Sequence, residues 1–289
     1  MISGKARLAG VMGWPIQHSQ SPRLHGYWLD RYEIDGAYVP LSVHPENFET
    51  AFRALPTLGF AGVNITVPHK ELALKLVERV DPTAQRIGAV NTVVITDDGD
   101  LMGYNTDAIG FIENLRQGYP TFKPDVGPAV VLGAGGAARA VICGLLDAGV
   151  VDLKLVNRTR ERAETLAESL AGFQAGPLPS AITVFDFSEI DEALDGAHLL
   201  VNTTSLGMDG KPPLDICLDA LPKAALVNDI VYAPLQTDLL KSARERGNPT
   251  VDGLGMLLHQ ACAGFEKWFG VLPDVTDELR HHILKGMDG

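Results

Sequence analysis

The chain has 289 residues, 46% of them hydrophobic and 21% charged, a globular profile with material for about two domains. That excludes a disordered tail, a low-complexity fibre and a coiled coil. With 24 basic against 36 acidic residues the net charge is −12, so the basic face that a nucleic-acid binder needs is missing. Cys143, Cys217 and Cys262 stand apart with no C-x-x-C pairing, which reads as reduced thiols of a cytoplasmic protein. No uncharged apolar run reaches the ~18 residues of a membrane span. Gly10, Gly13 and Pro15 break the apolar stretch after Arg7, which argues against a signal peptide.

Short apolar runs predict strands over 6–12, 37–43, 61–67 and 89–95. Between them Phe48, Ala51, Phe52 and Leu55 share one helix face. This alternation predicts an α/β unit with a mainly parallel sheet. The proline-rich segment 118–128 reads as a connector. A second α/β unit follows, with strands over 129–132, 153–156, 183–185, 198–202 and 225–228 and a nearly all-apolar helix over 137–148. The last ~35 residues are predicted helical, with Leu258, Ala261, Phe265 and Trp268 on one stripe.

The turn Gly133-Ala134-Gly135-Gly136-Ala137-Ala138 fits G-x-G-x-x-A between a strand and a helix. The first glycine allows the tight turn, the second admits a pyrophosphate, and the helix start offers free N–H groups. An NAD site carries an acid after the next strand; here that place holds Asn157-Arg158-Thr159-Arg160-Glu161-Arg162. A guanidinium at Arg158 suits a 2′-phosphate, so the cofactor reading is NADP. A methyltransferase usually has an acid near the first glycine, and Val131 and Leu132 do not fit that.

Four motifs in the first third are polar for their positions. His18-Ser19-Gln20-Ser21-Pro22 opens a helix with Ser21 as expected N-cap and Pro22 at the first helical position, also a good carboxylate site. In 64–70, strand alternation sends Asn64 and Thr66 to one face and Val63, Ile65 and Val67 to the other. Pro68 then starts a helix with Lys70 in its first turn. A cation there opposes the helix dipole, and a broken local rule tends to mark function. Asn91 falls in a buried strand, where an amide needs partners. Asp107, before an amphipathic helix with Ile109, Ile112 and Leu115, reads as a cap or as an acid. None of the eight histidines has metal-ligand spacing, so no metal site is expected.

Taken in order, 19–22, 64–70, 88–92, 105–107, 133–137, 157–159, 231–232 and 252–256, with Gln260 beyond, make the chain resemble the shikimate dehydrogenase family over nearly its whole length. The resemblance implies NADPH-dependent, reversible reduction of 3-dehydroshikimate to shikimate, a step of aromatic amino-acid biosynthesis by way of chorismate. It implies a substrate domain over 1–106 plus 254–289 and a Rossmann NADP-binding domain over 107–253. Lys70 and Asp107 match the catalytic pair. Ser19 and Ser21 match the carboxylate site, and Asn64, Thr66, Asn91 and Gln260 surround the ring hydroxyls with Asp107. Tyr232 approaches from the cofactor side. Gly133, Ala134, Gly135, Gly136, Ala137, Asn157, Arg158 and Thr159 match cofactor contacts, with Arg162, Ile230 and Gly253 added. The expected partner is a small molecule, in a cytoplasmic monomer or homodimer with no nucleic-acid or membrane partner. Two other readings stay open: a quinate/shikimate dehydrogenase using NAD, and an inactive NADP(H)-binding sensor.

Overall fold

In the computed structural model, residues 2–171 and 181–287 are described. They form two compact units, 1–106 with 258–289, and 107–257. The second unit ends at Leu257, within a continuous helix over 254–269.

The first unit holds β1 (Arg7–Gly13), α1 (Ser21–Arg31), β2 (Gly36–Ser42), α2 (Phe48–Ala54), β3 (Phe60–Ile65), α3 (Lys70–Leu76), β4 (Arg79–Val80), α4 (Pro82–Ile87), β5 (Thr92–Ile95) and β6 (Leu101–Tyr104). Its sheet has the order β2-β1-β3-β5-β6-β4. β5 runs antiparallel to both neighbours and the other pairings are parallel. One face packs on Phe48, Phe52 and Leu55 with Met12, Val63, Ile65 and Val93. Another cluster joins α1 to the chain's last helices, with Trp28, His25, Phe265 and Trp268 all fully buried. Trp268 Nε1 donates to the Val93 carbonyl at 2.9 Å, and a side chain at Gly62 would collide with that indole.

The second unit begins with α5 (Asp107–Gly118), β7 (Ala129–Leu132), α6 (Gly136–Ala148), β8 (Asp152–Asn157), α7 (Arg160–Leu170), β9 (Ala181–Asp186) and α8 (Ile190–Leu194). It continues with β10 (Leu199–Asn202), β11 (Leu226–Asp229), α9 (Asp238–Arg246) and β12 (Thr250–Val251). The sheet order is β12-β11-β10-β7-β8-β9, parallel throughout. β7 is a continuous, fully buried apolar run, as expected of a strand covered on both faces, whereas β8 buries Leu153, Leu155 and Val156 and leaves Asp152, Lys154 and Asn157 partly exposed. α10 (Leu254–Phe269) and α11 (Asp277–Leu284) close the chain. No helix of the described residues is long and apolar enough to cross a membrane.

Candidate active site

In the first unit, β3 carries Asn64 into the interior, where it is 5% exposed. Its Nδ2 donates to the Asn91 carbonyl and to Thr92 Oγ1, both at 3.1 Å, and its Oδ1 accepts from the Tyr38 hydroxyl at 2.5 Å. Asn91 Oδ1 accepts from the Thr106 N–H and from the Thr92 hydroxyl, each at 2.9 Å, while its Nδ2 donates to Thr106 Oγ1 at 3.1 Å. Thr106 Oγ1 reaches Gln260 Oε1 at 3.5 Å. Asn64, Asn91 and Gln260 thus belong to one buried network, as a buried amide requires. Tyr38, Thr92 and Thr106 complete it. Sequence reasoning gave these three no role, since each also bonds a residue at least 15 positions away along the chain.

β3 ends at Ile65, and the cis Val67–Pro68 peptide turns the chain before α3. Strand alternation therefore stops early. Val67 is 68% exposed rather than on the buried face, and Thr66 is half-buried. Pro68 lies in the turn, and Lys70 is the first residue of α3. The adjoining His69 is buried and bonded to the Val43 carbonyl at 2.8 Å; burial holds its pKa below the usual imidazole value. Ser21 does not cap α1. Gln20 is already in the helical region, so Ser21 is inside the helix, and the Ser19 hydroxyl accepts the Ser21 N–H at 3.3 Å. Both serines are still at the helix start.

In the second unit, Asp107 is the first residue of α5. The buried face of α5 is Ala108, Phe111, Ile112 and Leu115, and Ile109, expected on that stripe, is 56% exposed. Tyr232 follows β11, and burial raises the pKa of its phenol. The buried Asp229 braces this region by accepting from the Val231 N–H and Asn202 Nδ2 at 3.0 Å and from the Thr237 hydroxyl at 2.8 Å. Burial raises the pKa of its carboxyl, and these three bonds oppose the rise. Asn202 in turn accepts from Thr204, which ties the loops after β10 and β11 together.

A cleft of about 630 Å³ opens at the ends of β7, β8 and β10. Gly133, Ala134, Gly135, Asn157, Arg158 and Arg162 line it, and so do residues that sequence reasoning missed: Phe187, Asp215 and the loop Thr203–Leu206. Of the other predicted contacts, Gly136 and Ala137 lie in the first turn of α6, Thr159 stands just before α7 without a side-chain capping bond, and Ile230 lies against Gly253. A side chain at Gly253 would meet the Ile230 carbonyl at 2.2 Å, so backbone packing alone requires a glycine there. The three arginines divide: Arg160 pairs with Glu164, Asp186 and Glu189, leaving Arg158 and Arg162 at the cleft.

A dinucleotide phosphate fits these residues. Gly133 has φ +105°, and a Cβ there would press on Thr203 and Thr204 at 2.9 Å. Gly135 is extended, and among the described residues no atom beyond its chain neighbours and the helix's own backbone lies within 4 Å of where its Cβ would stand. The protein's own packing does not demand a glycine there, which points to the close approach of a ligand as the reason for one. α6 has no side-chain cap, and its first N–H groups can serve an anion.

Strand order, glycine turn and crevice together define a Rossmann-type dinucleotide-binding protein. Residues 11–93 match the shikimate dehydrogenase substrate binding domain, 124–207 the shikimate/quinate 5-dehydrogenase family, and 253–277 the shikimate 5′-dehydrogenase C-terminal domain. A shikimate dehydrogenase (NADP(+)) of Paramagnetospirillum magneticum is 61% identical over 98% of this chain and 100% of its own. The shikimate 5-dehydrogenase of Thermus thermophilus, solved with NADP(H) and shikimate, is 35% identical with a TM-score of 0.84, over 96% of this chain and 99% of that one. A quinate dehydrogenase from Corynebacterium glutamicum, solved with NAD, is 33% identical with a TM-score of 0.88, over 97% and 99%. The chain belongs to the shikimate dehydrogenase family.

Proposed function

We propose that this enzyme reduces 3-dehydroshikimate to shikimate with NADPH, reversibly, and that Lys70 and Asp107 manage the proton. The observation that carries the first part is 61% identity, end to end, to a relative named for that activity. The cofactor choice is supported by Arg158 and Arg162 at the cleft, where an NAD site would hold an acid. NADPH supplies the hydride when bound. The chain's residues do the rest. As the ketone oxygen becomes an alcohol it needs a proton, which the Lys70 ammonium gives in reduction and takes back in oxidation. Asp107 is the second member of the proposed pair. Ser19 and Ser21, at the start of α1, receive the carboxylate. Asn64, Thr66, Asn91 and Gln260 orient the ring, and Tyr232 is a further proposed substrate residue. Ile230 and Gly253 complete the nucleotide contacts.

The same reading makes the protein a cytoplasmic monomer or homodimer; three cysteines without disulfides support that compartment. The test is absorbance at 340 nm with NADP and with NAD, on shikimate and on quinate. Turnover of shikimate with NADP is the expected result. Preference for quinate with NAD would establish the rival dehydrogenase, and no turnover would establish the sensor.

A further inference from the structure

Hydrogen-bond capacity at Asn64 limits what it can offer a ligand. The Asn91 carbonyl can only accept, so the amide atom facing it is the nitrogen. The second amide hydrogen goes to Thr92 Oγ1, whose own hydrogen goes on to Asn91 Oδ1. Both amide hydrogens are therefore used within the protein, and Asn64 can meet a ligand only through its oxygen. That oxygen faces Tyr38, which must be the donor. The Tyr38 ring is buried and lies flat on His25, with centroids 3.9 Å apart and planes 7° apart. The hydroxyl is thus aimed by a ring that has little room to move.

We infer that Tyr38 and Thr92 are positioning residues, holding Asn64 so that its oxygen, and not its nitrogen, meets the substrate. The inference rests on the proposed substrate role of Asn64. It also narrows which substrate group Asn64 reads. A ketone oxygen, like an amide oxygen, only accepts, so the two repel. The reacting oxygen is a ketone in one direction of the reaction. Asn64 therefore serves a ring hydroxyl that keeps its hydrogen throughout, and the pairing adds specificity without touching the reacting carbon. Removing the Tyr38 hydroxyl keeps the ring and its stack but takes away the one donor that fixes the oxygen end of the amide.

The test is a kinetic cycle of Tyr38→Phe, Asn64→Ala and the double variant. Tyr38→Phe should raise KM for shikimate about tenfold, the scale of a buried hydrogen bond lost beside an unsatisfied acceptor. kcat should stay within about threefold, and KM for NADP should not move. In the Asn64→Ala background Tyr38→Phe should add less than about twofold, because it acts through that amide. A purely structural role would instead multiply in full, and that result overturns the inference. So does a Tyr38→Phe variant with wild-type KM beside an impaired Asn64→Ala. If Asn64→Ala itself leaves KM unchanged, the substrate role of Asn64 falls and the inference with it. Should Tyr38→Phe not fold, Thr92→Val is carried through the same cycle and judged by the same outcomes.

Discussion

The Lys70 carbonyl accepts the Val90 N–H at 3.0 Å, so the residue that opens α3 is bonded to the residue just before Asn91. Asn91 is itself held by its N–H to the Tyr104 carbonyl and by its carbonyl to the Ile65 N–H. The lysine proposed to carry the proton and an amide proposed to orient the ring are thus fixed to one piece of backbone. Pre-organisation of this kind is what a proton-transfer site requires.

Lys70→Ala should lower kcat by roughly 10²–10⁴, with a much smaller change in KM for shikimate, the usual scale for a general acid–base group. Asp107→Ala should be nearly as damaging. If the two residues act as a unit, the double variant falls well short of the product of the single losses. Steady-state rates at saturating NADP decide it, and a Lys70→Ala enzyme keeping more than about a third of wild-type kcat removes the lysine from the chemistry.

Arg158→Ala should weaken NADP by about tenfold and leave NAD nearly untouched, since only NADP carries the 2′-phosphate. Arg162, on the same cleft, covers part of the loss. The effect should shrink with added salt because Arg158 is exposed. Comparing kcat/KM for both cofactors at low and high salt checks this; equal loss of both cofactors contradicts the assignment.

Two glycines of one turn should behave oppositely. Gly133→Ala forces a side chain into a left-handed backbone and against Thr203 and Thr204, and should lower Tm by several degrees. Gly135→Ala meets no protein atom and should leave Tm unchanged while weakening NADP(H) at least tenfold, because the methyl occupies the ligand's space. Thermal melts beside cofactor titrations separate the two. A Gly135→Ala enzyme with unchanged NADP(H) affinity means that the dinucleotide does not approach there.

His25 should make the fold acid-sensitive. Burial lowers its pKa from 6.5 to about 3, so below pH 6.5 the unfolded chain takes up a proton that the native one refuses. Its contribution is complete above pH 6.5 and is lost as pH falls towards 3, at about 1.4 kcal/mol per pH unit. His25→Phe keeps a flat ring against Tyr38 and should flatten the stability profile in that window. His69, His198 and His282, also lowered chiefly by burial, contribute with the same sign and leave a residual slope in the variant. Urea unfolding between pH 4 and 7 measures it, and identical slopes in both proteins would refute the assignment.

Local patterning located β1, β2, β3, β7 and β8 to within a residue or two, because each is short, rich in apolar residues and bounded by turn residues. It could not give the direction of β5, and it passed over the two-residue β4 and the short β6. The place of Lys70 in the first turn of α3 was legible because Pro68, two residues before it, signals a helix start. The position of Tyr38 was not, because it is defined by a bond to an amide 26 residues away and by a histidine stack. Ile109 misled, since an apolar residue at helical spacing need not face the core. In the cleft the glycines and arginines follow a local motif, whereas Phe187 and the loop after β10 are brought there only by the strand order.

The bond from Trp268 to Val93 spans 175 residues, and it sets an order of events during synthesis. The sheet of the first unit cannot cover the face under α1 until the segment bearing Phe265 and Trp268 has left the ribosome. By then residues 107–257 have already emerged, and that unit is continuous in sequence. The second unit can thus acquire its fold first, while the earlier-made strands wait with apolar surface exposed to other chains.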